Sequence, residues 1–569
     1  MNNHTAQLLE QHFDTAFAAP DGIKKLRELI LTLAMQGKLV AQDPNDPPAR
    51  ELLKEIEAET RRLVKAGKIK APKVLPKIKA EGVPYALPQG WVWVRLGEIG
   101  IWKSGSTPSR ANTKFYGGGI PWVKSGEVKQ GRIKSTEETI TELALEKCSL
   151  SLNEKGSVLV AMYGANIGEV GILEIDATTN QAICACKTFR NFSENYLLNL
   201  ITSLKPYFLM QGAGAAQPNI SREKIVATLI PLPPLPEQHR IVAKIDQLMA
   251  RCDELEKLRA EREQKRLAIH TAALRQLLAV QEQDSSANAW QFLTRHFSEL
   301  YSVKENVTEL RKAILQLAVM GKLVPQDPSD PPANELLKEI KAEKQRLVEE
   351  KIIKKPKPTA DIASEDVPFR LPSNWQWARL ASISESIDYG TSQKTGEDSS
   401  LVPVYRMGNI VEGKLIEDGF KYISPNIDEL PHLYLKPNDI LFNRTNSYEL
   451  VGKSARYSGQ DKYATFASYL IRVRLFERQL LPAFFSSTMN SPYFRATQIE
   501  PEIVQQCGQA NFNGTKLSLC LVPVPPLPEQ HRIVTKIDQL MALCNTLDQQ
   551  IDATTGKQTE LLKAVMARV

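Results

Sequence analysis

The sequence predicts a mixed α/β protein built twice over: two α/β domains joined by long helices that form an antiparallel coiled coil, with a pseudo-two-fold internal repeat. Three observations predict it. First, "PPLPEQHRIVAKIDQLMA" begins at Pro233 and "PPLPEQHRIVTKIDQLMA" begins at Pro525, differing at one position of eighteen, Ala243 against Thr535. Second, "LRELILTLAMQGKLVAQDPNDPPARELLKEIEAE" (26–59) matches "LRKAILQLAVMGKLVPQDPSDPPANELLKEIKAE" (310–343) at 25 of 34 positions. Third, the likeness fades between these anchors, over 97–230 and 381–522, where matches are scattered. Near-identical frames around divergent domains imply one architecture carrying two separate specificities.

The repeat also sets the boundaries. The offset is 284 through the arms and still 284 at "LPQGWVWVRL" (87–96) against "LPSNWQWARL" (371–380); it is 292 at the later anchor, so the second copy carries 8 more residues between. The expected organisation is a helical arm and linker (1–86), a first α/β domain (87–232), a central helix (233–280), a second arm and linker (281–370), a second α/β domain (371–524) and a C-terminal helix (525–569).

Composition narrows the class. The chain has 569 residues, 42% hydrophobic and 24% charged, which suits a soluble protein of several domains. No apolar run approaches the roughly 18 residues a membrane span needs. "MNNHTAQLLEQHFD" lacks the basic and apolar regions of a signal peptide, so a cytoplasmic protein with no membrane partner is expected. The net charge of +7 and pI of about 8.8 permit an anionic partner without specifying one. Seven cysteines follow no framework spacing; Cys184 and Cys186, in "QAICACKTF", read as buried strand residues, and no metal site is expected.

In the arms, Leu26, Ile30 and Leu33, and likewise Leu310, Ile314 and Leu317, fall on one helical face. Each helix stops near a glycine, Gly37 or Gly321, and meets a proline-rich turn, "DPNDPP" or "DPSDPP". A charged helix follows, then a basic, Pro-bearing linker (70–82 and 354–366). "DPPA" lacks the aromatic of the [DNS]PP[FYW] motif of amino-methyltransferases and "NSPY" (490–493) lacks its first proline, so both read as turns.

The elbow has a local physical logic. Prolines 231, 233, 234 and 236 stiffen the approach; Pro236 fits the first helical turn and Glu237 suits the positive end of the helix dipole. A PPLP string also suits an SH3-type domain, but recurrence in register before the same helix favours helix entry. The helices then carry a 4-3 apolar spacing: Ile241, Ile245, Leu248, Cys252 and Leu255 in one, Ile533, Ile537, Leu540, Cys544, Leu547 and Ile551 in the other. Two matching seams favour pairing with each other, as a rod of roughly 40 Å for about 28 residues. The alternative is that each helix lies on its own domain.

Within the variable segments, "GSVLVAMYGANIGEVGIL" (156–173) and "NQAICACKTF" (180–189) read as strands, and "SENYLLNLITSLKPYFLMQGA" as a helix. "PNDILFNRTNSYELVGKSARY" (437–457) corresponds to the first of these, and a Q-x-N recurs at Gln217/Asn219 and Gln509/Asn511. No GxxxxGK[ST] phosphate loop, methyl-transfer motif or Gly-rich cofactor loop stands in the sequence, so no catalytic centre is expected.

The duplicated elbow, the two "LPxxWxWxRL" entries, the variable domains between them and the long repeated arm together resemble the specificity subunits of type I restriction–modification enzymes, most closely the IB subgroup. The resemblance spans nearly the whole chain. It implies that each variable domain is a target recognition domain reading one half of a split, asymmetric site on double-stranded DNA. The helices would set the gap and dock two methyltransferase (M) subunits, with two restriction (R) subunits joining them. S-adenosylmethionine, ATP and magnesium would belong to those partners; this chain would hold no cofactor, metal or catalytic residue.

Given DNA as the ligand, side-chain chemistry nominates the readers. Arg and Lys suit guanine, Asn and Gln suit adenine, and Ser, Thr and Lys suit phosphates. The candidates in the first domain are Lys103, Ser104, Ser106, Thr107, Arg110, Lys124, Ser125, Tyr163, Asn166, Gln217, Asn219 and Arg222. In the second they are Tyr389, Thr391, Ser392, Lys394, Arg406, Asn409, Arg444, Asn446, Tyr448, Gln509, Asn511 and Asn513, with Arg444 and Asn446 favoured because they follow directly on an apolar strand. Trp91, Trp93, Trp375 and Trp377 are expected to pack in the core.

Overall fold

The computed structural model describes residues 11–72, 77–212, 218–278, 283–355, 361–506 and 508–567. The chain divides into two units, Met1–Arg262 with Thr554–Val569, and Glu263–Ala553. Each holds one mixed α/β domain, as the sequence predicts. Each of the two long helices, Leu235–Leu278 and Leu527–Met566, begins in one unit and ends in the other. Among the described residues no helix is long and apolar enough to cross a membrane.

In the first unit the arm helix Gly22–Met35 ends at Gln36. Gly37 then takes φ +68°, and the Lys38 N–H donates to the Leu33 carbonyl, closing a Schellman turn. A Cβ on Gly37 would lie 2.3 Å from Pro88 Cγ, so both the backbone and the packing require glycine there. Gly321, with φ +67° and Pro372 Cγ at 2.5 Å, repeats the arrangement in the second unit.

The entry and exit of each domain are paired strands. Val92–Arg95 runs antiparallel to Leu229–Leu232, and Gln376–Arg379 runs antiparallel to Leu521–Val524. The chain therefore leaves the domain beside the point where it entered, and turns into the long helix at Leu235 or Leu527, with Pro236 or Pro528 as the second helical residue.

Beyond that collar, the first domain holds a five-stranded sheet in the order Gly100–Ser104, Ile183–Thr188, Val158–Ala161, Val170–Leu173, Arg132–Ile133. A second sheet joins Glu138–Ile140, Tyr116–Val123 and Thr178–Thr179. The helix Glu194–Gly212 shares a core with the large sheet through Leu197, Leu200, Ile201 and Phe208. Cys184 and Cys186 are buried free thiols on the interior strand Ile183–Thr188; burial pushes Cys184 up to about 12 and Cys186 well above its ordinary value.

The second domain repeats this plan with different side chains. Its sheet runs Ser384–Tyr389, Leu470–Leu475, Ile440–Asn443, Ser454–Arg456. Trp102, Cys186 and Val158 lie side by side across the first sheet; Ile387, Val473 and Ile440 do so across the second. Even here a shared constraint survives: a Cβ on Gly105 would meet the Asn180 carbonyl at 2.2 Å, and one on Gly390 the Phe466 carbonyl at 2.3 Å. The loop that leaves each first strand is pressed onto backbone, which only glycine allows.

The seam positions have a partner in their own arm. Ile241, Ile245 and Cys252 are buried, with Leu248 half-buried, in one core with Ile23, Ile30 and Met35 of the first arm. Ile533, Ile537 and Cys544, with Leu540 and Leu547 packed against them, share a core with Ala313, Ile314 and Ala318 of the second arm. The arm's own apolar stripe covers this stretch of each helix, while the far end of each helix packs in the other unit, Ala273 and Leu274 in one core with Cys544, and Leu562 in one core with Ala16 and Phe17. Leu255 is a correction: its side chain is exposed, although Arg27 of the arm bonds Asp253 and Glu256 on either side of it.

Candidate nucleic-acid interface

The collar explains why the frame is repeated nearly residue for residue. Trp91 Nε1 donates to Glu237 Oε2 at 2.8 Å, and Gln42 Nε2 donates to Glu237 Oε1 at 2.7 Å. Trp375 and Gln326 hold Glu529 in the same way, at 2.9 and 2.6 Å. Arg240 grips Asp46, and Arg532 grips Asp330, each at 2.6 Å. Gln238 accepts from the Ser193 N–H and Gln530 from the Leu481 N–H, so the elbow also anchors the domain. Each of Glu, Gln and Arg in "EQHR" thus has a fixed partner on the arm, entry strand or domain. Burial raises both glutamates above the usual carboxylate range, against the pull of their hydrogen bonds. Trp93 and Trp377 are half-buried, with Trp91 and Trp375 in the core.

The divergent residues sit on loops at one end of the large sheet. In the first domain, Lys103 and Ser104 end the strand Gly100–Ser104, exposed. The Ser106 N–H donates to the Thr179 carbonyl, and the Thr107 hydroxyl to Gln181, a residue the sequence reading did not single out. Tyr163, exposed, forms a β-bridge with exposed Asn219, and the Gly164 N–H donates to the Pro218 carbonyl. Asn166 follows on the same loop, and Arg222 stands near Cys184 and bonds Glu223 at 3.4 Å. Lys103, Ser104, Ser106, Thr107, Tyr163, Asn166, Asn219 and Arg222 therefore converge. Gln217 lies outside the described residues.

Arg110 and Lys124 are arranged differently. Arg110 bonds Glu138 at 2.6 Å and stacks over Tyr116 and Trp122, with 4.5 and 5.3 Å to the ring centroids. Lys124 reaches Glu137 at 2.6 Å and Glu138 at 3.2 Å, with Ser125 beside it half-buried. The Arg110 guanidinium holds the Glu138 carboxyl below the usual range. Both cations are neutralised locally, which weakens them as phosphate or base contacts.

In the second domain the strand Thr445–Asn446 pairs with Gln509–Asn511, the extended form of the Tyr163–Asn219 bridge. Asn511 Oδ1 accepts from the Thr445 hydroxyl at 2.8 Å. Tyr448 and Gln509, both exposed, line a cleft of about 410 Å³ with Ser447, Glu449 and Gln505. Arg444 lies over the Tyr389 ring at 5.0 Å, and the Gly514 N–H donates to the Tyr389 hydroxyl at 2.6 Å. Tyr469, exposed and next to Arg444 in the fold, was missed; its backbone carbonyl accepts from the Arg444 N–H. Ser392 and Lys394 are exposed on the loop after Gly390.

Three candidates are spent on the fold. Asn409 is buried: it accepts from the Arg406 N–H and donates to the Ile416 and Asp418 carbonyls. Thr391 is buried, with its hydroxyl on Glu429. Asn513 caps the helix Gly514–Leu519, accepting from the Lys516 N–H at 2.8 Å. Asn409 and Thr391 have no surface to offer DNA, which corrects their nomination; residue type carried no sign of their burial. Arg406 itself is half-buried, donating to the Gly419 carbonyl at 2.7 Å.

The domain model of the type I restriction modification DNA specificity domain matches this chain twice, over residues 88–263 and 372–554. The chain belongs to that family. The specificity subunit of the type I restriction enzyme EcoAI of Escherichia coli is 35% identical over 567 residues, covering 95% of this chain and 92% of that protein. The EcoEI specificity subunit of Escherichia coli is 31% identical over 574 residues, covering 96% and 93%. Among solved structures, the HsdS subunit from Thermoanaerobacter tengcongensis is similar with a TM-score of 0.42 and 20% identity, over 85% of this chain and 97% of that one.

Proposed function

We propose that this chain is the sequence-reading subunit of a type I restriction–modification complex, with each α/β domain binding one half of a bipartite, asymmetric DNA site. The observation that carries the reading is the contrast between frame and loops. The elbow contacts of Glu, Gln and Arg recur bond for bond, while equivalent loop positions differ: Ser104 against Tyr389, Met162 against Arg444, Tyr163 against Thr445. A scaffold that merely joined proteins would not need equivalent loops with different chemistry. An enzyme would need a catalytic constellation, and the subunits named in this family are specificity subunits.

In this reading the frames and long helices fix the gap between half-sites and dock two adenine-N6 methyltransferase subunits, joined by two restriction subunits. The internal symmetry lets identical partners meet an asymmetric target. S-adenosylmethionine, ATP and magnesium act in those partners, and the chain works in the cytoplasm, where its DNA is. Methylome sequencing of cells expressing this chain with its methyltransferase partner, against cells lacking this chain, tests the proposal. A single split motif with a fixed gap and methylated adenines in both halves is expected. Exchange of residues 97–230 for another such domain should change one half alone. A methylome indifferent to this chain, with the complex formed, would sink the reading.

A further inference from the structure

The cations nominated as DNA readers are not equally available. Arg110, Lys124 and Arg222 each have a carboxylate partner. Arg444 pairs with none among the described residues. Its guanidinium rests on the Tyr389 ring, its Nη1 donates to the Ser468 carbonyl at 3.1 Å, and its Nε is buried with no hydrogen-bond partner. Tyr389 is itself fixed, because its hydroxyl accepts the Gly514 N–H. The position is local to one domain: the first has Met162 there, buried in the core.

We infer that Arg444 reads a guanine in the half-site of the second domain, and that Tyr389 is its positioning residue. This rests on the DNA-recognition reading above and adds a residue and a base to it. The guanidinium is held by a ring and one carbonyl, which orients it without neutralising it. Donor capacity is left over, and the O6 and N7 acceptors of guanine match a two-donor fork. A phosphate contact would need no ring support and no orientation. Two exposed tyrosines flank the position, Tyr389 beneath the guanidinium and Tyr469 through its backbone carbonyl, which accepts from the Arg444 N–H.

The test uses the assembled methyltransferase complex, with wild type, Arg444→Ala, Arg444→Lys, Tyr389→Ala and Tyr389→Phe. Methylomes are recorded, and binding is measured on duplexes carrying each base pair at each position of the second half-site. In the wild type, one position of that half demands G·C. Arg444→Ala should lower discrimination there about 10-fold or more, leaving the other positions and the first half unchanged. Arg444→Lys, which keeps charge and stem but not the fork, should relax the same position, and it decides the matter should the alanine variant fail to assemble. Tyr389→Ala should relax that position too, and Tyr389→Phe, which keeps the ring but loses the Gly514 bond that fixes it, should relax it less. An unchanged motif, a second half-site without guanine, or an equal loss of affinity on every duplex would overturn the assignment. A wild-type complex that methylates no split motif would instead sink the underlying reading.

Discussion

His270 Nε2 lies 3.1 Å from the Tyr301 hydroxyl, edge-on to its ring, and the imidazole is fully buried. The repeat offsets place Leu562 and Phe17 at the equivalent positions, and those two share an apolar core. One copy thus carries a polar pair where the other carries an apolar one. The rings behind them match: Phe13–Phe17 and Phe297–Tyr301 centroids are 4.7 and 4.6 Å apart.

The pair is expected to behave as a unit. Tyr301→Phe leaves a buried imidazole without its hydroxyl, with Nδ1 already lacking a partner, and should cost about 1–3 kcal/mol. The double variant His270→Leu/Tyr301→Phe recreates the other copy's chemistry and should recover most of that loss. Urea unfolding of the single and double variants measures the coupling. Additive losses would mean that the two side chains act independently.

Acid should weaken the same site. Burial lowers the His270 pKa below its ordinary 6.5, with a smaller opposing pull from Glu309. The unfolded chain therefore takes up the proton first as pH falls through 6.5, so its contribution is complete above that value and declines below it. His270→Leu should be less sensitive than wild type between pH 7.5 and pH 5.5 when thermal midpoints are compared. Equal slopes would show that His270 carries none of the dependence.

Legibility of these features followed how they are encoded. The frame was readable because the chain states it twice: the arm helices, elbow and closing segment lie where the repeat puts them. The strand Val158–Ala161 and the helix Glu194–Gly212 were readable from apolar pattern alone. Glu237 was not. Its position suggested a residue favourable to the helix dipole, yet it is a buried acceptor for Trp91, 146 residues away. Only the joint repetition of Trp, Gln, Asp, Glu and Arg at matching offsets signalled that set. The candidate loops were hardest, because Asn409 and Asn446 look alike in sequence and only packing separates a buried bracket from a half-buried candidate.

Loss of that Trp–Glu contact should be measurable in both copies. Trp91→Phe and Trp375→Phe keep most of the ring but withdraw a donor from a buried carboxylate, for an expected cost of about 1.5–3 kcal/mol each. Without the donor the glutamate pKa rises further. Folded protein then holds its proton longer than unfolded protein as pH rises, so both variants should lose more stability at pH 8 than at pH 5. Unfolding midpoints at the two pH values check the sign.

The turn after each arm helix gives a sterically based expectation. Gly37→Ala and Gly321→Ala place a methyl against Pro88 or Pro372 on a backbone with positive φ, at an expected cost of about 1–3 kcal/mol. Gly67→Ala has the same φ of +68° but nothing within 4 Å, so it should cost less, about 1 kcal/mol. Equal losses at all three would mean that the proline contact adds nothing.

Asn409 separates folding from recognition in the second domain. Its amide donates to the Ile416 and Asp418 carbonyls at 3.0 and 2.8 Å and accepts from the Arg406 N–H at 2.8 Å, so it ties the loop 406–419 together from inside. Asn409→Ala strands two carbonyls and an N–H, and should lower stability by about 1–3 kcal/mol. Asn409→Asp keeps the acceptor but cannot donate, and should be as harmful at neutral pH, where a charge is buried beside two carbonyls. Neither variant should change the bases demanded by the second half-site in whatever complex still assembles. Thermal unfolding of the chain and methylome sequencing of the complex read the two effects apart; a shifted motif with unchanged stability would return Asn409 to the DNA-facing set.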